Sequence, residues 1–128
     1  MLLNADHSED PRVQRAIRLI QQPSLAAYVD VQQLASDVNL SHSRFRHVFT
    51  EQIGVSPKRY LKTVRLKRAK WLMTNTFLSV KQVMAAVGCS DISHFVRDYK
   101  IVFGETPTQS RRSKAAAKRS RAATSANC

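Results

Sequence analysis

The sequence is poor in residues that several classes of protein require. Its 128 residues include only two cysteines, three glycines and four prolines. Cys89 lies in an apolar turn and Cys128 is the final residue, so the thiols offer no disulfide framework. The four histidines show neither i,i+4 pairing nor a cysteine at ligand spacing, and we therefore expect no bound metal.

Long apolar runs are also lacking. No run approaches the roughly 20 residues that cross a bilayer, and the N-terminus has neither the basic nor the apolar region of a signal peptide. We therefore expect a cytoplasmic protein with no membrane partner. No Gly-rich phosphate loop, Ser-His-Asp set or pair of pocketed carboxylates is recognisable, so the sequence predicts no enzyme and no cofactor.

Acidic residues are scarce as well, and this scarcity points to a partner. There are nine Asp and Glu residues against 21 Lys and Arg residues, which gives a formal net charge of +12 at pH 7. Such a surplus favours a polyanionic partner, with nucleic acid ahead of membrane. A basic protein that is merely soluble is the alternative that charge alone leaves open.

Helix start signals recur along the chain, and few glycines or prolines interrupt them, so we predict an all-α fold. Capping residues precede apolar stripes of helical spacing at Asp10, Asp30, Ser41, Ser56, Ser79 and Ser90. Asn39 and Gly88 each stand between two helices, where a tight turn needs the left-handed conformation that both residues tolerate. Two helices joined by such a turn, with an outward polar face on the second, are typical of a helix-turn-helix.

The helix-turn-helix pattern occurs twice. Four residues recur with the same spacing 50 positions later: Phe45, Phe49, Gly54 and Pro57 match Phe95, Tyr99, Gly104 and Pro107. Upstream of them the offset is 49, so the second copy has one extra residue before its last helix. This match predicts two copies of one unit. The residues predicted to face inward are Phe45, Val48 and Phe49 in the first copy, and Phe95, Tyr99, Val102 and Phe103 in the second.

The longest predicted helix, residues 57–75, joins the two copies. Its apolar positions, Trp71 among them, spread over roughly half of its circumference, so we expect it to pack between two bodies. Arg65 and Arg68 project into this apolar arc, where an unpaired guanidinium is costly. Arg65 is predicted to pair with a carboxylate, with Asp37 as the candidate, or with carbonyls at a helix end. The alternative is that both arginines extend to solvent.

These signals divide the chain into five segments. They are a flexible N-terminus (1–9), a first helix-turn-helix subdomain (10–56), a linker helix (57–75), a second subdomain (76–112) and a disordered basic tail (113–128). From Arg111 onward there are six Lys and Arg residues but no acid and no aromatic residue, which is why disorder is predicted. Such a tail can attract phosphate without regard to sequence, or it can be a solvated terminus without function.

Three motifs link the sequence to a known family. YL-x3-RL-x2-A begins at Tyr60, VG-x-SD-x-S begins at Val87, and F-G-x-TP begins at Phe103. Together with their surroundings, over about residues 10–112, they resemble the DNA-binding domain of the AraC/XylS family of bacterial transcription regulators. Three residues depart from the family pattern: Cys89 replaces the usual aromatic residue, Ile92 a frequent proline and Ser110 a common tyrosine.

The resemblance implies seven helices, with the long helix holding two recognition helices on one face. It implies that these helices enter successive major-groove segments roughly 34 Å apart, on an asymmetric site. Double-stranded DNA is the implied partner and RNA polymerase a second one, and no small-molecule effector site is expected within this chain. Met1 favours a stand-alone regulator over the output half of a longer one, and both activation and repression remain open.

Helical geometry and the resemblance select the same candidate DNA contacts. The predicted base-reading residues are His42, Ser43, Arg46 and His47 in the first unit and Ile92, Ser93, Val96 and Arg97 in the second. The predicted phosphate contacts are Ser41, Thr50, Lys100, Arg111 and Arg112. Because Ile92 and Val96 cannot hydrogen-bond, we expect the second helix to read fewer bases than the first.

Two alternatives stay beside this interpretation. Arg46 and Arg97 could each bind phosphate alone, without reading a base. The rival function is an architectural or RNA-binding basic protein that grips a backbone without sequence preference. It would explain the charge but not the duplicated turns or the two outward polar faces.

Overall fold

The computed structural model describes residues 10–22 and 26–126, with side chains as far as Arg119. Over these residues the chain is all-α, as predicted, with seven helices and no strand. The helices are α1 (Pro11–Gln21), α2 (Val31–Asp37), α3 (His42–Ile53), α4 (Pro57–Asn75), α5 (Val80–Val87), α6 (Ile92–Phe103) and α7 (Pro107–Ala126). The predicted flexible N-terminus, residues 1–9, lies outside the described residues.

Side-chain caps begin the helices as predicted, with one exception. Ser79 and Gln82 form a full capping box, each side chain accepting from the other residue's backbone N–H, at 3.1 and 2.8 Å. The prediction that Ser90 caps α6 was wrong, because Asp91 Oδ1 accepts the backbone N–H of His94 at 3.0 Å. The extra residue of the second copy lies before the cap, so the two recognition helices run in register at an offset of 50.

Both helix-turn-helix turns contain a residue with positive φ. Asn39 has a φ of 60° and Gly88 a φ of 80°, which confirms the left-handed conformation predicted for the two turns. In each turn the next residue closes back onto the preceding helix: Leu40 N–H donates to Ala35 O and Cys89 N–H to Met84 O, both at 2.9 Å. The two turns therefore have the same type of backbone conformation and the same closing hydrogen bond.

The first compact unit (unit 1) ends at Arg65 and contains α1, α2, α3 and the first part of α4. Its buried residues include Val13, Ile17, Ile20, Leu34, Phe45, Phe49, Tyr60 and Leu61. The Phe49 ring lies 5.6 Å from the rings of Phe45 and Tyr60, centroid to centroid. This aromatic cluster holds one face of α3 in the core and leaves the opposite face to solvent.

The second compact unit (unit 2) begins at Leu66 and contains the rest of α4 with α5, α6 and α7. Its core includes Leu66, Ala69, Leu72, Met73, Val83, Met84, Val87, Phe95 and Tyr99. Tyr99 is fully buried, 4.7 Å from the ring of Phe103. Val102 was wrongly predicted to face inward. It is 46% exposed, because Phe103 takes the core contact in the last turn of α6.

Helix α4 supplies residues to both cores, which accounts for its wide apolar arc. Tyr60 and Leu61 belong to the core of unit 1, whereas Leu72 and Met73 belong to the core of unit 2. Trp71, an apolar member of the predicted arc, is instead 51% exposed, and the Arg68 guanidinium lies 4.7 Å from its ring centroid. Arg68 therefore covers an exposed indole by a cation–π contact.

Arg65 is half-buried and bonds to backbone carbonyls of unit 1. Its Nε donates to Ala26 O and its Nη2 to Val29 O, both at 2.7 Å. The predicted Arg65–Asp37 ion pair was therefore wrong, and the carbonyl alternative is correct. Carbonyls in the turn before α2 lack helical N–H partners and accept the guanidinium, while the Asp37 carboxylate accepts from Gln33 Nε2 at 3.0 Å.

The last helix is longer than expected. Disorder was predicted from residue 113, but α7 continues to Ala126. Composition misled the prediction, because the segment has too little apolar surface to build a core yet consists largely of Ala, Lys and Arg. These residues favour a helix, and no Gly or Pro follows Pro107 to end it.

Candidate nucleic-acid interface

The outward face of α3 is the first part of the candidate interface. Phe45, Val48 and Phe49 are buried at 6% exposure or less. With 3.6 residues per turn, their burial turns the opposite face to solvent. All five side chains predicted for that face are exposed: His42, Ser43, Arg46, His47 and Thr50.

A carboxylate that the sequence pattern did not select also lies on α3. Glu51 Oε2 is 3.6 Å from His47 Nε2, one helical turn away, and both side chains are largely exposed. The i,i+4 spacing was the signal that could have found this pair. A carboxylate beside a reading face can accept from cytosine N4 and disfavours close approach of phosphate.

The start of α3 has an uncharged cap and no acidic residue in its first turn. Ser41 Oγ accepts the backbone N–H of Arg44 at 3.1 Å, so the hydroxyl is used as a cap. The remaining first-turn N–H groups point outward at the positive end of the helix dipole, where phosphate binds well. This geometry is compatible with the predicted phosphate contact through the backbone N–H of Ser41.

The outward face of α6 is the second part of the candidate interface. Phe95 and Tyr99 are buried at 2% and 0% exposure and fix the orientation of the helix. Three predicted contacts, Ser93, Arg97 and Lys100, are exposed, and Ile92 is 57% exposed. Val96 is only half-buried and packs against the core of unit 2. It is therefore the least accessible of the predicted base readers.

Local charge differs between α6 and α3. The Asp91 carboxylate caps α6, and hydrogen bonding from the His94 backbone N–H lowers its pKa below the ordinary value near 3.8. His94 Nδ1 lies 3.4 Å from Asp91 Oδ2, and Arg97 Nε lies 3.7 Å from Asp98 Oδ1. The N-terminus of α6 thus carries its own anion, where α3 carries a hydroxyl.

Arg111 has a structural role that the sequence did not suggest. Its Nε donates to Met73 O at 3.1 Å and its Nη2 to Thr76 O at 3.3 Å, and a further bond reaches Leu78 O. The half-buried guanidinium thereby ties α7 to the C-terminal end of α4. Because Nε and Nη2 bond to backbone carbonyls, the guanidinium stabilises the fold, and the predicted phosphate contact of Arg111 stays a prediction. Arg112 beside it is exposed.

Comparison with known proteins agrees with this geometry. A helix-turn-helix family model matches residues 34–113, from α2 into α7. The chain belongs to the AraC-type helix-turn-helix family. A relative, the Msm operon regulatory protein of Streptococcus mutans, is 34% identical over 82 residues, which are 64% of this chain and 30% of that protein. The AraC-type domain spans about a third of the length of the curated relatives that it matches.

Solved structures share the fold. An AraC-type transcriptional regulator from Chromobacterium violaceum matches with a TM-score of 0.73 and 28% identity, over 82% of this chain and 93% of that one. The DNA-binding domain of AdpA, solved in complex with a target DNA, matches with a TM-score of 0.76 and 22% identity, over 85% and 96% of the two chains. Because the relatives are DNA-binding regulators, the AraC-type domain is not an enzyme, in agreement with the sequence prediction.

Two departures from the AraC-type pattern have a structural setting. Cys89 is half-buried against the core of unit 2. Ser110 is 2% exposed, and its Oγ accepts the Tyr99 hydroxyl at 2.7 Å. Burial, the largest cause, raises the pKa of Tyr99, so the phenol remains a neutral donor.

Within the described residues, no helix is long and apolar enough to cross a membrane, and no group of His, Cys, Asp and Glu could hold a metal ion.

Proposed function

We propose that the chain binds double-stranded DNA sequence-specifically, as a bacterial transcription regulator, with α3 and α6 as recognition helices. One observation carries the proposal: each unit buries the aromatic side of a helix that follows a tight turn and exposes its polar side. The family match supports DNA as the ligand. That the helices occupy successive major-groove segments of an asymmetric site is part of the proposal and follows the family resemblance.

Base readout is assigned mainly to α3. Arg46 is exposed and carries the fork of donors that can bond guanine O6 and N7 together. Ser43 and His47 lie on the same exposed face and can reach base edges. In α6 we assign the corresponding role to Ser93 and Arg97, and a thymine methyl contact to the exposed Ile92.

Phosphate contacts position the domain and carry no sequence information. We assign them to the Ser41 backbone N–H, Thr50, Lys100 and Arg112, all of which belong to exposed residues. RNA polymerase is a second proposed partner, and a bacterial regulator that binds both would act in the cytoplasm. These two assignments rest on the family and not on a contact in the fold.

Selection of bound sequences from random duplexes tests the proposal. We expect one enriched, asymmetric motif on the order of 20 base pairs, because two recognition helices with different side chains read its two halves. Competition at physiological salt should then give a ratio of specific to non-specific affinity of about 10³ or more. A ratio near one would favour the architectural or RNA-binding alternative and overturn the proposal.

A further inference from the structure

The C-terminal part of α7 extends past the domain that the family shares. The family match ends at Ser113, whereas α7 continues to Ala126. Among the described side chains, which end at Arg119, the anchoring contacts lie near the start of the helix: Pro107 and Ser110 are buried, Arg111 bonds to carbonyls of unit 2, and Ser113 Oγ lies 3.5 Å from Glu105 Oε2. From Arg112 to Arg119 the side chains are exposed, apart from a half-buried Ala115. We call residues 112–126 the basic arm.

The basic arm carries charge of one sign. Five of its residues are basic (Arg112, Lys114, Lys118, Arg119 and Arg121), and none is acidic. Lys114 and Lys118 are four residues apart on the helix, where like charges repel and weaken it slightly. The negative charges of a polyanion bound along the arm would offset this repulsion, because the arm has no carboxylate of its own to do so.

The composition of the basic arm also excludes other classes of ligand. It has no aromatic residue on which an unpaired base could stack, so single-stranded nucleic acid is a poor fit. Its apolar side chains are all alanines, so it lacks the large apolar face that inserts into a membrane surface. A regular row of phosphates, contacted by charge alone, is the ligand that fits.

We propose that the basic arm binds the phosphate backbone of the DNA that flanks the site read by α3 and α6. The proposal rests on the proposed function, which brings a duplex to this chain. Fifteen helical residues span about 22 Å, a length along which a duplex presents a charge roughly every 1.7 Å. The arm therefore adds affinity without adding sequence preference.

A triple variant, Lys114→Gln, Lys118→Gln and Arg119→Gln, tests the proposal. Gln keeps the helix propensity, and the three side chains are exposed, so the fold should persist. Affinity for the selected duplex and for a scrambled one is measured from about 50 to 200 mM salt, a range over which backbone contacts respond strongly. We expect about a tenfold loss on both duplexes and a shallower salt dependence, by about two to three in slope.

The matched control keeps the charge and changes the side chains: Lys114→Arg, Lys118→Arg and Arg119→Lys should bind like the original chain. The ratio of selected to scrambled affinity should be the same in all three proteins. An unchanged affinity and slope in the Gln variant would overturn the proposal and leave an acidic protein surface as the fitting ligand. A loss confined to the selected duplex, or a loss in the charge-keeping control, would also overturn it.

The two proposals fail in different ways. If the unaltered chain shows no preference for any duplex, the proposed function fails, yet the change in salt dependence still reports on the arm. If preference is strong and the Gln variant binds like the original, only the arm proposal fails.

Discussion

Unit 1 and unit 2 repeat one backbone arrangement but present different charges to solvent. The exposed face of α3 includes Ser43, Arg46, His47 and Thr50. At the offset of 50, the same positions in α6 are Ser93, Val96, Arg97 and Lys100. The first face has one permanent charge, on Arg46, and the second has two, on Arg97 and Lys100. Because exposed positions carry no packing constraint, a duplicated fold can change its reading face while keeping its turns and core.

The cores of the two units differ by compensating changes. Unit 1 packs Phe49 on Tyr60, whereas the matching residues of unit 2 are Tyr99 and Ser110. In unit 1 the phenol hydroxyl belongs to Tyr60, on α4. In unit 2 it belongs to Tyr99, on α6, and donates to Ser110 Oγ. Phe103, which matches Ile53, packs on Tyr99 and supplies the aromatic volume that Ser110 lacks. Unit 2 therefore keeps aromatic packing against Tyr99 by a different route from unit 1, and its buried phenol is hydrogen-bonded.

Each unit also uses one arginine to tie a helix to backbone carbonyls. Arg65 binds the turn before α2, and Arg111 binds the end of α4 and the segment before α5. The two arginines follow Pro57 and Pro107 by eight and four residues, so they are not matched in the repeat. Each unit therefore ties a helix to backbone carbonyls with an arginine, but the two arginines stand at positions of the repeat that differ by four residues, about one helical turn.

The largest expected effect comes from removing these arginines. Arg65→Met should destabilise unit 1, and Arg111→Met unit 2, by about 3 kcal/mol each, because two or more charge-assisted hydrogen bonds vanish and part-buried carbonyls lose their donors. Thermal unfolding is followed by circular dichroism for the whole chain. Fluorescence of Trp71, the single tryptophan, reports unit 2.

The Lys variants serve as controls for charge. Lys cannot place two donors as a guanidinium does, so Arg65→Lys should recover only part of the loss. An Arg65→Met variant as stable as the original would show that the carbonyl contacts do not stabilise unit 1.

The second prediction asks which face reads bases. Arg46→Ala should reduce discrimination between the selected and scrambled duplexes by about 1–3 kcal/mol, because a bidentate guanine contact is lost. Arg97→Ala should reduce it less, since the carboxylate of Asp98 lies 3.7 Å from its guanidinium and the neighbouring Val96 is half-buried. Equal losses of affinity on both duplexes would instead make the altered arginine a phosphate contact.

The third prediction concerns the compensated core. Tyr99→Phe and Ser110→Ala should each cost about 1–2 kcal/mol, because each leaves one buried hydroxyl without its partner. The double variant should lose less than the sum of the two, since no hydroxyl then remains unpaired. The double-mutant cycle is measured by chemical unfolding with Trp71 fluorescence. Additive losses would mean that the 2.7 Å contact carries no coupling.

Local sequence spacing correctly predicted the features that depend on residues close together in the chain. The caps at Asp10, Asp30 and Ser41, the positive φ of Asn39, and the buried Phe45 and Phe49 all follow from local spacing, and the structure confirms them. The repeat even predicted the extra residue before α6, although not that it makes Asp91 the cap.

Partners that are distant in sequence were harder to predict. A guanidinium in an apolar arc needs acceptors, but spacing does not tell a carboxylate from a carbonyl, so Asp37 was chosen for Arg65 in error. Arg111 looks like part of a basic tail until the fold brings Met73 and Thr76 to it. The length of α7 was missed for another reason, because disorder was argued from missing core residues while helix propensity acts without a core.

The smallest expected effect separates the two caps by pH. Asp91 has its pKa lowered in the fold by the His94 N–H, whereas Ser41 does not titrate. A carboxylate with a lower pKa in the folded state than in the unfolded state stabilises the fold above its unfolded pKa. That contribution disappears as the pH falls through the folded value. The original chain should therefore be slightly more stable than Asp91→Ser above about pH 4, and the difference should vanish in stronger acid.

Transplanting the carboxylate completes the comparison of the caps. Ser41→Asp should give α3 the acid sensitivity that Asp91→Ser removes from α6, because both residues accept an N–H three residues along the chain. Thermal unfolding of the three proteins between about pH 6 and pH 2 measures both changes. If the stability difference between the original chain and Asp91→Ser stays constant over that range, the cap stabilises α6 by hydrogen bonding alone. The contrast between an anionic and an uncharged cap would then be one of geometry and not of charge.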